Sequence, residues 1–175
     1  MMYLWVAVDL EDQLQELRQE LDRVESLICS TDPALTLPLH TSLKISFEVD
    51  DKYANEVRCA VREYFSTLKS FKIAPERVES MGNLTWIRMK ESRELCGIHS
   101  ELDLLIEKKF GVPKHVFDRD FIFHATLFAA TDPARFEKIL CLPRLPEYVT
   151  ARSFIIGSSR SGAAGTYSVD EIIAI

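Results

Sequence analysis

Two histidines, each followed two positions later by a hydroxyl residue, are the part of this sequence best suited to acid–base chemistry. The first lies in Leu39-His40-Thr41-Ser42-Leu43-Lys44-Ile45-Ser46-Phe47, and the second, 84 residues further on, in Phe123-His124-Ala125-Thr126-Leu127-Phe128. An imidazole with an ordinary pKa of ~6.5 is present in both protonation states near neutrality, so two of them can act as base and acid in one reaction. The neighbouring hydroxyls, Ser42 and Thr126, can each donate a hydrogen bond to a phosphate oxygen. One His-x-Thr in an apolar stretch is an ordinary core or surface feature; recurrence in matching context is what points to a site.

Such a pair needs strands to hold it. Alternation along a strand puts His40, Ser42, Lys44 and Ser46 on one side and Leu39, Thr41, Leu43, Ile45 and Phe47 on the other. In the second unit His124 and Thr126 share a side, and Phe123, Ala125, Leu127 and Ala129 share the opposite one. Each strand therefore has a polar face for a substrate and, Thr41 apart, an apolar face for a core. Lys44, on the His40 side, could bind substrate phosphate, the competing reading being an exposed strand lysine. Arg88, Lys90 and Arg160 are weaker basic candidates, and Trp86, Phe128 and Tyr167 could stack on a base, although strand aromatics ordinarily belong to the core.

The elements around these strands follow from periodicity. Residues 3–10 are rich in strand formers, and Leu14, Leu17, Leu21, Val24 and Ile28 form the apolar stripe of a helix running from Glu11 and Asp12 to about Ile28. A loop over 30–38 leads to the first histidine strand. A second helix is expected over 52–68, with Val57, Val61, Tyr64, Phe65 and Leu68 buried, followed by strands at 71–78 and 84–90 around a Met81-Gly82-Asn83 turn. A third helix over 92–109 buries Leu95, Ile98, Leu102, Leu105 and Ile106 and stops at Gly111 and Pro113. His99 is expected on its surface and His115 in a loop. After the second histidine strand, 121–130, Thr131-Asp132-Pro133 caps a short helix to about Leu140. Residues 148–158 and 165–173 form a closing hairpin whose turn holds Gly162 and Gly165; their backbone amides could also cradle a phosphate. The order strand, helix, histidine strand, helix, strand then occurs twice, with one extra strand. It predicts an α+β fold that is bilobal and pseudo-duplicated, with two largely antiparallel sheets facing a central cleft and each histidine strand laid on its own helices.

The 175 residues are enough for one substantial core, and the expectation is one two-lobed domain over 1–175. A content of 47% hydrophobic and 27% charged residues is that of a globular protein, with no apolar run of membrane-spanning length. The first residues lack a basic signal-peptide region, and the four cysteines, Cys29, Cys59, Cys96 and Cys141, are scattered without a zinc-ligand spacing. A cytoplasmic monomer with reduced, mostly buried thiols is expected, with no metal and no cofactor. The net charge of −6 argues against a broad nucleic-acid-binding surface.

These residues resemble the signature of the two-histidine (2H) phosphoesterases, a duplicated His-apolar-Thr/Ser-apolar motif, at His40-Thr41-Ser42-Leu43 and His124-Ala125-Thr126-Leu127. The resemblance covers essentially the whole chain. It departs from the pattern at Thr41 and Ala125, and at Phe128-Ala129-Ala130, where many RNA-ligase-like members carry a basic residue. It implies metal-independent chemistry on a 2′,3′-cyclic phosphate or a 2′-5′ phosphodiester of a nucleotide or short oligonucleotide. His40 and His124 would be acid and base, with Ser42 and Thr126 on phosphate oxygens; which histidine plays which part stays open. The competing expectations are an idle nucleotide or cyclic-oligonucleotide binding protein of the same fold, and an interaction domain in which the motif recurs by chance.

Overall fold

The computed structural model describes residues 1–27, 36–81, 84–129 and 144–175. The expected turn at Gly82-Asn83, the helix after Pro133 and most of the loop before His40 lie outside the described residues.

The chain runs β1 (Met2–Asp9), α1 (Gln15–Leu27), β2 (His40–Val49), α2 (Ala54–Phe65), β3 (Phe71–Ile73), β4 (Pro75–Met81), β5 (Leu84–Met89), α3 (Arg93–Phe110), β6 (His124–Ala129), β7 (Val149–Ala151), β8 (Ser153–Ser159) and β9 (Ser168–Ala174). Both histidine strands and the helices between them stand where periodicity puts them. Glu11 and Asp12 form a 3₁₀ turn before α1, rather than its first turn. Ser92 caps α3 by accepting from the Leu95 amide at 3.1 Å, and Gly111 ends it at φ 68°.

The described residues form three antiparallel sheets: β2-β1-β8-β9, β4-β5-β6 and a two-stranded ribbon, β3-β7. The expected single strand over 71–78 is broken at Ala74. Pro75 has no N–H for a continuous ladder, so Phe71–Ile73 pairs with β7 and Pro75–Met81 with β5. The closing hairpin, β8 and β9, joins the sheet of β1 and β2 and so enlarges the first lobe.

Helices do not divide between lobes as expected. Leu14, Leu17 and Leu21 of α1, Val57, Val61 and Phe65 of α2, and Leu95, Ile98, Leu102 and Ile106 of α3 enter one continuous core with Leu4, Val6 and Val8 of β1 and Ala125 and Leu127 of β6. The Phe65 and Phe154 rings stack at 4.2 Å, fixing α2 on β8. The third helix packs against β2, the histidine strand of the other lobe. Burying one Leu or Phe side chain contributes about 1.5–3 kcal/mol, so this shared core ties the two histidine strands together.

Candidate active site

Each histidine strand lies at an edge of its sheet, and β2 and β6 lie beside one another. His40 and Ser42 are half-buried while Thr41 and Leu43 are buried; His124 and Thr126 are half-buried while Ala125 and Leu127 are buried. The alternation read from sequence therefore holds at both motifs.

The two rings are held in the same way. Nδ1 of His40 lies 2.7 Å from the Pro38 carbonyl, and Nδ1 of His124 lies 2.7 Å from the Ile122 carbonyl, in each case two residues back along the chain. A carbonyl only accepts, so Nδ1 carries the hydrogen and Nε2 is left to exchange a proton. The strand beside each histidine supplies an indole: Trp5 of β1 against His40, with ring centres 4.7 Å apart, and Trp86 of β5 against His124, at 4.0 Å. Burial pushes both imidazoles below the ordinary histidine pKa, and the hydrogen bonds to Pro38 and Ile122 partly counter it. The charge of His124 further disfavours protonation of His40, which means the two rings feel one another.

Lys44 departs from its expected place. Register shifts in the β1–β2 pairing put Ser42 opposite Ala7 but Lys44 opposite Val6, leaving Leu43 as an extra residue. This bulge interrupts alternation, and Leu43 and Lys44 are both buried. The Lys44 side chain, 2% exposed, pairs with Asp118 and lies 2.7 Å from Asp103. It faces carboxylates inside the protein, away from the half-buried row of His40 and Ser42.

His99 is also buried, contrary to the surface position expected. Its Nδ1 lies 2.8 Å from the Leu43 carbonyl at the bulge, and its ring stacks on Phe121 at 4.2 Å. The signal was in the helix stripe: positions 95, 98, 99, 102, 103 and 106 recur at one-, three- and four-residue steps, which puts His99 and Asp103 among the buried leucines and isoleucines. His99, Asp103 and Asp118 bring ligand atoms within 4.8 Å of one another, a spacing open to a metal ion. The Lys44 ammonium stands between the two carboxylates and already supplies the positive charge there.

Of the other candidates, Trp86 is buried against His124, Tyr167 donates to Ser46 Oγ at 2.6 Å, and Arg88 pairs with Glu79 and Glu76. Lys90 is exposed, as is Arg160, which reaches Asp51 at 3.1 Å. The Phe128 side chain is outside the described residues. Gly162 and Gly165 have φ of 70° and 78°, which the turn itself requires. His115 lies in a loop, as expected, and caps a 3₁₀ turn there. Cys59 and Cys96 are exposed on α2 and α3, not buried as expected. Among the described residues no helix is long and apolar enough to cross a membrane.

No protein-family model matches the sequence, and no curated relative matches it. Solved structures do. The chain is similar to Escherichia coli LigT complexed with 3′-AMP, with 17% identity, 99% of this chain and 98% of that one covered, and a TM-score of 0.60. It is similar to TT0787 of Thermus thermophilus, with 18% identity, coverage of 98% and 97%, and a TM-score of 0.64. Usb1 of Kluyveromyces marxianus follows at 16% identity, coverage of 99% and 97%, and a TM-score of 0.50. LigT has also been solved with ATP and with NADP+. End to end, with its histidine strands at the edges of two sheets joined by one core, the chain has the bilobal LigT-like fold.

Proposed function

We propose that this protein is a metal-independent phosphodiesterase that opens 2′,3′-cyclic phosphates or cleaves 2′-5′ linkages in nucleotides or short oligonucleotides. The carrying observation is the matched pair of rings: His40 and His124 each have Nδ1 tied to the carbonyl two residues back and Nε2 left for proton exchange, on adjacent edge strands. Hydrolysis of a cyclic phosphate needs a base for the attacking water and an acid for the leaving ribose oxygen on the opposite side of phosphorus. One Nε2 takes the proton from water as the new P–O bond forms. The other gives its proton to the ribose oxygen as the old P–O bond breaks. Ser42 and Thr126 donate to the remaining phosphate oxygens, where negative charge builds.

The LigT structures with 3′-AMP, ATP and NADP+ support a nucleotide as the ligand class. The test is hydrolysis of 2′,3′-cyclic nucleotides and 2′-5′-linked dinucleotides in the presence of EDTA. Turnover is expected with at least one class. Binding of these compounds without turnover would favour the idle binding protein and overturn the enzymatic reading.

A further inference from the structure

The two imidazoles match in their own contacts and differ in the charges beside them. Behind Trp86, the indole nitrogen donates to Glu79 Oε1 at 3.1 Å, so a carboxylate is fixed at the far edge of the ring that packs on His124. Behind Trp5 there is no counterpart: its indole nitrogen is buried without a hydrogen-bond partner among the described residues, against the backbone of Gly157. The charged group acting on His40 from α1 is a cation, Arg18.

Resting on the acid–base reading above, we propose that Glu79, held in place by Trp86, makes His124 the imidazole that carries the proton before substrate binds and leaves His40 as the neutral base. Around His124, β5 contributes Arg88, directly across the ladder, and β4 contributes Glu76, Arg77 and Glu79. Arg88 is engaged by Glu79 at 3.4 Å and by Glu76 at 3.7 Å, and Arg77 by Glu79 at 2.9 Å. The Trp86 hydrogen bond, with Arg77 and Arg88, holds the Glu79 carboxyl below the usual range, so it stays ionised and favours the His124 cation. Around His40, β1 contributes Asp9 across the ladder, whose carboxyl burial pushes up and which accepts from the Glu11 amide at 3.0 Å. Arg18, bound to Glu11, and His124 across on β6 both disfavour a proton on His40.

In hydrolysis His40 Nε2 then removes a proton from water, and the water oxygen bonds to phosphorus. The electron pair of the broken P–O bond goes to the ribose oxygen, which takes the proton from His124 Nε2. One water is consumed, and proton exchange with solvent restores both rings.

The experiment is an NMR titration of the histidines in the substrate-free full chain, for the wild type, Glu79→Gln and Arg18→Gln. His124 is expected to titrate above His40. Glu79→Gln should lower the His124 midpoint, and Arg18→Gln should raise that of His40. His40 titrating at or above His124 overturns the proposal, as does a His124 midpoint that Glu79→Gln leaves in place. The wild-type order decides even where a variant folds poorly. In the kcat/KM profile on a 2′,3′-cyclic nucleotide, Glu79→Gln should move the alkaline limb to lower pH and leave the acid limb; the reverse counts against it. Absence of turnover on every phosphodiester, with the titration order as expected, would reject the enzymatic reading alone.

Discussion

The chain entering β2 is braced near the surface. Glu11 accepts from the Leu39 amide at 2.6 Å and from Arg18 at 3.0 Å, and Arg18 donates to the Leu37 carbonyl at 2.7 Å, so the residues just before His40 are clamped onto α1. The chain entering β6 is braced from inside. Asp118 pairs with the buried Lys44 and takes the His115 amide at 2.6 Å, while His99 reaches the Leu43 carbonyl and stacks on Phe121. The same His-carbonyl device is thus backed by a half-buried ion pair on one side and a fully buried cluster on the other. The buried cluster also spans the lobes: Lys44 and Leu43 belong to β2, His99 and Asp103 to α3, and Asp118 to the loop leading to β6. It sets where one histidine strand stands relative to the other. The Glu11–Arg18 clamp sets the approach to His40.

If the two rings are equal partners in chemistry, removing either should be equally disabling. His40→Ala and His124→Ala are each expected to lower the single-turnover rate by ~10²- to 10⁴-fold, and the double variant by much less than the product. Both rings are only half-buried, so thermal unfolding should change little. Near wild-type turnover in either variant would remove that ring from the mechanism.

The braces separate by stability. Lys44→Met leaves Asp103 and Asp118 buried without their cation and is expected to cost about 3–5 kcal/mol in urea unfolding. Arg18→Met loses hydrogen bonds to Glu11 and Leu37 at a site open to water on the Glu11 side, and should cost about 1–2 kcal/mol. Equal losses would mean that the buried cluster is no more than another ion pair.

Gly157→Ala probes the indole on the His40 side. A Cβ there would stand 2.2 Å from Trp5 Nε1 and 2.4 Å from the Ser168 carbonyl, so either β8 or Trp5 must shift. About 1–3 kcal/mol of destabilisation is expected, with a fall in rate as Trp5 is pushed against His40. The His124 NMR resonances should stay in place; movement of both rings alike would show that the half-sites do not respond separately.

Local chemistry was readable from sequence and tertiary contact was not. Period-two alternation put His40 and Ser42, and His124 and Thr126, on accessible faces, because the apolar residues around them, Leu39 and Leu43, Ala125 and Leu127, have only one core to meet. Alternation misplaced Lys44 because a bulge depends on the partner strand: nothing in Leu43-Lys44-Ile45 announces that Val6 and Ala7 of β1 will skip a residue. Breakage of 71–78 was foreshadowed by Pro75, a poor residue for the interior of a ladder. His99 lay in the stripe of its helix, but a polar residue there reads as a surface group until its polar neighbours, the carbonyls of distant Leu43 and Asp118, are known. Trp5 and Trp86 could be placed on strands, whereas their packing on His40 and His124 follows from sheet order and register.

The two rings also couple stability to pH, a small effect that can be read without substrate. Burial lowers both His40 and His124 below the ordinary 6.5 in the folded protein. The unfolded chain therefore binds more protons than the folded one between 6.5 and the folded midpoints, and stability rises with pH wherever that holds. As pH falls through this window the folded state should lose stability; above it these two groups contribute no slope. Replacing one ring by Asn removes its share, so urea unfolding of each variant should show a shallower acid slope than the wild type. Since Arg18 and His124 add to desolvation at His40 while Glu79 opposes it at His124, the His40→Asn variant is expected to flatten the slope more. A greater flattening by His124→Asn would mean that the more protein-like surroundings, and the stronger penalty on charge, lie on the side backed by the buried cluster.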